Sequence, residues 1–314
     1  MHQDVSFKTS DNVTLRGWFY RPDNADGQLA CLVMAHGFSA LKEMNLDTFA
    51  EHFISALPIC CLVYDNRGFG NSDTGPSQPR QEIIPLQQHS DYSDAITYAQ
   101  SHHDVDNGKI GIWGSSYSGG HVLWVAAVDR RVKVVLSQVP CVNGWDSFHR
   151  LIRPDLVPGL NQLFQDDRHS RAQGKAAGVL PVVEQAMHKP SALHTPDSYA
   201  YFTDWEKRCG WKNEVTIKSI EAFREYNSST HIHHISPTPL LMTVAQNDVL
   251  TPADLALEAY SRALEPKQLH IIPGGHFDCY SGSSFERTSQ YQVDFLKKHL
   301  CSQPDKREEA AQDA

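Results

Sequence analysis

Six short apolar runs punctuate the chain: LACLVMAHGF (29–38), ICCLVYDNRG (59–68), KIGIWG (109–114), VKVVLSQVP (132–140), PLLMTVAQND (239–248) and KQLHIIPGG (267–275). Short apolar runs without polar alternation predict strands buried on both faces of a parallel sheet. Between them, helical spacing marks LDTFAEHFISAL (46–57) and the stretches 87–100, 118–128, 253–264 and 285–299. Strands that alternate with helices imply parallel pairing through right-handed crossovers, with helices on both faces. The first segment, VSFKTSDNVTLRGWFYRP, alternates on either side of Ser10-Asp11-Asn12 and reads as a hairpin. The expected architecture is a mostly parallel α/β sheet of eight strands.

From 142 to 236 the rhythm stops. This interval holds Trp145, Phe148, Phe164, Tyr199, Tyr201, Phe202, Trp205, Trp211, Phe223 and Tyr226, and Pro154, Pro158, Pro181, Pro190 and Pro196 cut it into short pieces. So long a connection needs structure of its own. It is expected to be an inserted helical cap over one end of the sheet. Most of its aromatics form a small core of their own, and Trp145, Phe148, Tyr199, Trp205 and Trp211 are candidates to face a ligand cavity. The expected division is core at 1–141, cap at 142–236, core again at 237–300, and a charged, frayed tail at 301–314.

Composition narrows the classes of function. The net charge is −9 and there is no basic run, which disfavours nucleic acid and anionic membrane as partners. No apolar run approaches the about 18 residues of a membrane span. The N-terminus lacks the basic start and apolar stretch of a signal peptide, so a cytoplasmic location is expected. Seven scattered cysteines fit buried reduced thiols. With no CxxC, no metal is expected; HIHH (His231, His233, His234) reads as a polar lead-in to a strand. The glycine-rich YDNRGFGNSD lacks both the Lys-Ser/Thr pair and G-x-G-x-x-G of phosphate loops, and reads as a turn tied by Asp65 and Arg67.

Chemistry concentrates in IWGSSYSGG (112–120), a strand, a turn of small residues and the start of a helix. That is the setting of a nucleophile elbow, where residues two before and two after the nucleophile must be small. Ser115 would have Trp113 and Tyr117 at those places and is excluded. Ser116 has Gly114 and Ser118; Ser118 has Ser116 and Gly120. Because Gly114 directly follows the strand, Ser116 is favoured and Ser118 remains the competitor. In such sheets the acid and then the histidine follow later in the chain, each past a strand end. Asp248 and His276 occupy those places; Asp254 and Asp278 are less well positioned. The backbone N–H groups of Phe38 and Tyr117 are expected to form the oxyanion hole, with His36 as a buttress.

These motifs resemble an α/β-hydrolase over residues 5–300, most specifically in AHGF, YDNRGFGNSD, IGIWGSSYSGG, NDVLTP and GGHFDCY. Within that superfamily the chain is similar to the dienelactone-hydrolase and Xaa-Pro-peptidase branch, where a tyrosine often follows the serine. It also resembles hydrolases of fungal secondary-metabolite clusters, of the polyketide transferase and AK-toxin types, which share the elbow and the W-x-N-x-V-T stretch (Trp211, Asn213, Val215, Thr216). The resemblance implies release, hydrolysis or transfer of an acyl chain. Some AK-toxin-type members carry a C-terminal peroxisomal tripeptide; this chain ends QDA. The expected partner is a small hydrophobic acyl substrate, an ester or a thioester carried by CoA or a carrier protein, with no cofactor. A homodimer is compatible with the sequence. An acyltransferase, a lyase or carbon–carbon hydrolase on the same site, and a non-catalytic binding protein are the rival readings.

Overall fold

All six apolar runs become strands of a single sheet. The computed structural model describes residues 2–186 and 189–302. The hairpin gives β1 (His2–Lys8) and β2 (Thr14–Tyr20), followed by β3 (Leu29–Ala35), α1 (Leu46–Ala56), β4 (Ile59–Tyr64), α2 (Pro85–Ser101), β5 (Val105–Ser115), α3 (Tyr117–Val128) and β6 (Val132–Gln138). The next stretch carries α4 (Gly144–Leu151), α5 (Val157–Ala172), β7 (Val179–Leu180), α6 (Pro196–Glu206), β8 (Val215–Thr216) and α7 (Ile217–Glu225). The chain then returns with β9 (Leu240–Ala245), α8 (Ala253–Arg262), β10 (Lys267–Ile272) and α9 (Gly282–Leu296). The eight-stranded sheet has the order β1-β2-β4-β3-β5-β6-β9-β10. Within this sheet only β1–β2 and β2–β4 pair antiparallel.

Alternation along the central strands divides the core. Cys31, Val33 and Ala35 of β3 face one side with Tyr92 and Ala95 of α2, Val122 and Ala126 of α3, and Leu255 and Ala259 of α8. Leu32 and Met34 face the other with Phe49 and Phe53 of α1 and Val293 and Leu296 of α9. Since side chains point to opposite faces with a period of two, a strand covered on both sides must be apolar throughout. The last run departs from that expectation. β10 has a neighbour only in β9, and Ile271 is 51% exposed, because an edge strand of this sheet is not covered as the centre is.

The 142–236 segment is less purely helical than expected. β7 and β8 pair antiparallel, Val179 with Thr216 and Leu180 with Val215, closing a small ribbon beside α5 to α7. Two-residue strands leave no periodic trace, so the sequence could not announce them. HIHH is likewise no lead-in in extended form: Ile232–His234 makes one 3₁₀ turn before β9. Residues 303–314 of the expected tail lie outside the described residues. No helix among the described residues is long and apolar enough to cross a membrane.

Candidate active site

Parallel pairing sets the working edge. Ala35 is level with Gly114, Ser115 with Gln138, Gln138 with Thr243, and Ile272 with Ala245. The loops after β3, β5, β9 and β10 therefore leave the sheet side by side at the strands' carboxyl ends, where open α/β sheets bind ligands.

Ser116 forms the turn between β5 and α3. Its φ of 60° and ψ of −116° lie outside the ordinary regions for a non-glycine residue. Neighbours hold it there: its N–H donates to the Gln138 carbonyl at 2.8 Å, and its carbonyl accepts from Cys141 N–H at 2.9 Å. The small residues are obligatory. A Cβ on Gly114 would strike the Ser118 carbonyl, and one on Gly119 would come within 2.5 Å of the Gln138 carbonyl. The three serines point different ways. Ser115 is buried against Tyr280 and Gln138. Ser118, also buried, donates its hydroxyl to the His36 carbonyl. Ser116 Oγ alone meets a histidine, lying 3.0 Å from His276 Nε2.

The His276 Nδ1 lies 2.7 Å from Asp248 Oδ2, with both side chains buried. The other carboxylate oxygen, Oδ1, accepts the N–H groups of Leu250 and Thr251 at 2.9 and 2.8 Å. Such an Asx-type turn fixes the carboxylate before the histidine arrives. A proton on Nδ1, donated to Asp248, would leave Nε2 to accept from Ser116. Thr251, missed in the sequence, sets its hydroxyl 2.9 Å from Asp248 Oδ2 and 3.2 Å from His276 Nδ1. Asp254 is instead exposed and paired with Arg150, and Asp278 caps the Gly275 N–H.

The loop after β3 passes over the serine. A Cβ on Gly37 would lie 2.6 Å from Ser116 Cβ, so only glycine permits this approach. No backbone acceptor among the described residues takes the Phe38 N–H. Tyr117 opens α3, where an N–H has no intrahelical acceptor and the helix dipole favours negative charge. His36 holds the loop from beneath. Its Nδ1 accepts from Gly37 N–H at 2.7 Å and its Nε2 reaches the Met44 carbonyl at 2.7 Å. Burial pushes its imidazole down to about 4 from an ordinary 6.5, so it is neutral and unsuited to be the base. Asp65 and Arg67 tie loops as expected. Asp65 takes the Lys42 amide and ammonium at 2.9 and 2.8 Å, and Arg67 bridges Asp11 and Asp91.

Ser116 opens into a cavity of about 330 Å³. Phe38, Phe148, Leu160, Leu163, Ile220 and Phe223 are among the apolar side chains that line it. Of the five aromatics expected there, only Phe148 is in the lining. Trp145 is 56% exposed on α4, and Tyr199 and Trp205 are partly buried against a cluster that the 142–236 segment shares with the loops after β3 and β4. Trp211 is buried, with its indole turned to the loop after β3. The cavity wall is built from aliphatic residues of α5 and α7 together with the rings of Phe38, Tyr117, Phe148 and Phe223. The stripe Leu156, Leu160, Leu163 at helical spacing was the available signal. The single group of three metal-type side chains among the described residues is His102, His103 and Asp104, and Asp104 is already paired with Arg21.

A serine on a strained strand–helix turn, with histidine and aspartate from later strand ends, defines an α/β-hydrolase. The family model of the X-Pro dipeptidyl-peptidase (S15 family) matches residues 11–278, and the chain belongs to that family of enzymes. It is 31% identical over 301 residues to a thiohydrolase of Eupenicillium brefeldianum, with 94% of each chain covered. It is 32% identical over 296 residues to the quorum-quenching protein AidA of Acinetobacter baumannii, again with 94% of each covered. Against the polyketide transferase grgF of Penicillium sp it is 31% identical over 300 residues, covering 95% of this chain and 96% of that one. The crystal structure of the alpha/beta hydrolase GrgF superposes with a TM-score of 0.83 over 96% of this chain and 100% of the other, at 30% identity.

Proposed function

We propose that the protein is a serine hydrolase that cleaves or transfers an acyl group from an ester or thioester through an acyl-Ser116 intermediate. The observation that carries this reading is Ser116 Oγ, 3.0 Å from His276 Nε2, in the lining of a mostly apolar cavity. His276 takes the serine proton as Oγ attacks the carbonyl carbon. The N–H groups of Phe38 and Tyr117 hold the resulting oxyanion, and Asp248 stabilises the imidazolium. The imidazolium then protonates the departing thiol or alcohol as the carbonyl re-forms. Water, or an alcohol in the transferase version, repeats the sequence and frees the serine.

The substrate is a small hydrophobic acyl compound. Residues 142–236 act as its cap, with α5 and α7 forming the wall. A dipeptidyl peptidase must hold a free substrate ammonium, which calls for a carboxylate. Among the described lining residues there is no aspartate or glutamate, which favours an acyl chain over a peptide. The printed names thiohydrolase and polyketide transferase support a thioester donor, delivered by CoA or a carrier protein. Seven free cysteines suit a reducing compartment, the cytoplasm.

Intact mass spectrometry after acid quench tests the chemistry. With an octanoyl thioester of N-acetylcysteamine, the expected result is one octanoyl adduct on Ser116, discharged by water or an added alcohol. No adduct, together with full turnover by Ser116→Ala, would refute the mechanism.

A further inference from the structure

The loop that carries the Phe38 N–H is held by the sheet at only some of its positions. His36 and Gly37 are fixed by the His36 ring, by Ser118 and by the Asn66 side chain, and Lys42 is fixed by Asp65. Ser39, the residue next to the oxyanion donor, is different. It is buried and left-handed, with φ 62°, a conformation that a serine leaves unless something holds it. Its carbonyl and its hydroxyl have one hydrogen-bond partner among the described residues, and that partner comes from the cap. Trp211 Nε1–H points between them, 3.0 Å from the carbonyl oxygen and 3.1 Å from Oγ. The indole is itself immobilised, buried and packed on the Phe202 ring with centroids 4.9 Å apart. A second tie runs the same way: Tyr201, also from the cap, donates to the Met44 carbonyl at 3.1 Å, the group that His36 Nε2 already contacts.

We infer that Trp211 is a positioning residue for catalysis: its indole N–H clamps Ser39 and so fixes the Phe38 N–H where the oxyanion forms. The cap thereby does two tasks, enclosing the acyl chain and completing the oxyanion hole. Preorganised donors act only if their direction is fixed before charge develops, and displacement by a fraction of an ångström weakens them. The clamp acts on the transition state and touches no part of the acyl chain, since Trp211 lies outside the cavity lining. This inference rests on the acyl-Ser116 reading.

Trp211→Phe keeps the ring in the cap core and removes the N–H. It is compared with the unsubstituted protein on p-nitrophenyl acetate, whose acyl group is too short to need the cavity. Burst titration sets the active-site concentration. The expected result is a kcat lower by about tenfold with KM within about twofold, the split that a loosened oxyanion donor gives. Affinity for a trifluoromethyl ketone should fall by the same factor, while affinity for the matching secondary alcohol stays level. Ser39→Ala, which removes only the Oγ acceptor, should show the same split at smaller size and serves if Trp211→Phe does not fold. Trp205→Phe, in the same segment but without a tie to the loop, should leave kcat unchanged. A folded Trp211→Phe with kcat within twofold, a loss in KM alone, or an equal loss in Trp205→Phe overturns the inference while leaving the acyl-enzyme reading intact. Absence of Ser116-dependent hydrolysis in the unsubstituted protein overturns both.

Discussion

Gly37 is the point at which the loop after β3 meets Ser116. Its Cα passes so close to Ser116 that an added methyl would overlap the serine side chain. Gly37→Ala should displace either the oxyanion loop or Ser116, lowering kcat/KM by about a hundredfold or more, as loss of an oxyanion donor does. Since the loop is anchored elsewhere, the thermal midpoint should move by only a few degrees. Activity assays and differential scanning calorimetry on one preparation would check both. The sequence made Ser116, Asp248 and His276 legible for one reason: each follows an apolar run, and parallel register brings such run ends together. Thr251 and Trp211 were illegible in their roles. A hydroxyl beside an aspartate, or an indole meeting a loop far away in sequence, leaves no periodic or compositional mark until the chain has folded.

The elements of the 142–236 segment divide the work between them. The W-x-N-x-V-T stretch is an anchor strip. Trp211 clamps Ser39, Asn213 accepts from and donates to the backbone of Val183, and Val215 pairs with β7. Thr216 caps α7 through the Ser219 N–H. With α7 so fixed, its Ile220 and Phe223 line the cavity together with Leu160 and Leu163 of α5. Arg224 of α7 lies 4.5 Å over the Phe164 ring of α5 and bonds Asn161, holding the two helices together. Filling this space should shorten the accepted chain. Ile220→Trp should lower kcat/KM for an octanoyl ester by about tenfold or more while leaving an acetyl ester nearly unchanged. A chain-length series of p-nitrophenyl esters reads this out. The aromatic count pointed to a structured insertion, but of the lining it picked out only Phe148: Trp145 is exposed, and Tyr199, Trp205 and Trp211 pack in the hydrophobic cluster beside the cavity, where large rings bury the most area.

For the fold, the sheet was legible because both-face burial leaves continuous apolar runs. The strand order and the β7–β8 ribbon were not, since pairing partners are set by packing and register. The same deep burial makes stability depend on pH. Burial holds His36 and His89 near about 4, and it holds His121 well below its ordinary 6.5. His121 is enclosed by Gln88, His89 and Tyr226, tying α2, α3 and the end of α7. A histidine depressed on folding takes up its proton in the unfolded chain first. For His36 and His89 the neutral-form stability is therefore full above about 6.5 and declines as pH falls toward 4, by about 3 kcal/mol each at most. Urea midpoints should be level above about pH 7 and fall between 6.5 and 4. His89→Gln should reduce that slope.

The decisive measurement is covalent labelling of the intact protein with a fluorophosphonate probe, read by gel and peptide mapping. With Ser116 as the nucleophile, the unsubstituted protein and Ser118→Ala are labelled at Ser116, Ser116→Ala is not, and His276→Ala is labelled far more slowly. Labelling that persists in Ser116→Ala, or that maps to Ser118, would contradict the assignment of the reactive serine on which the mechanism stands.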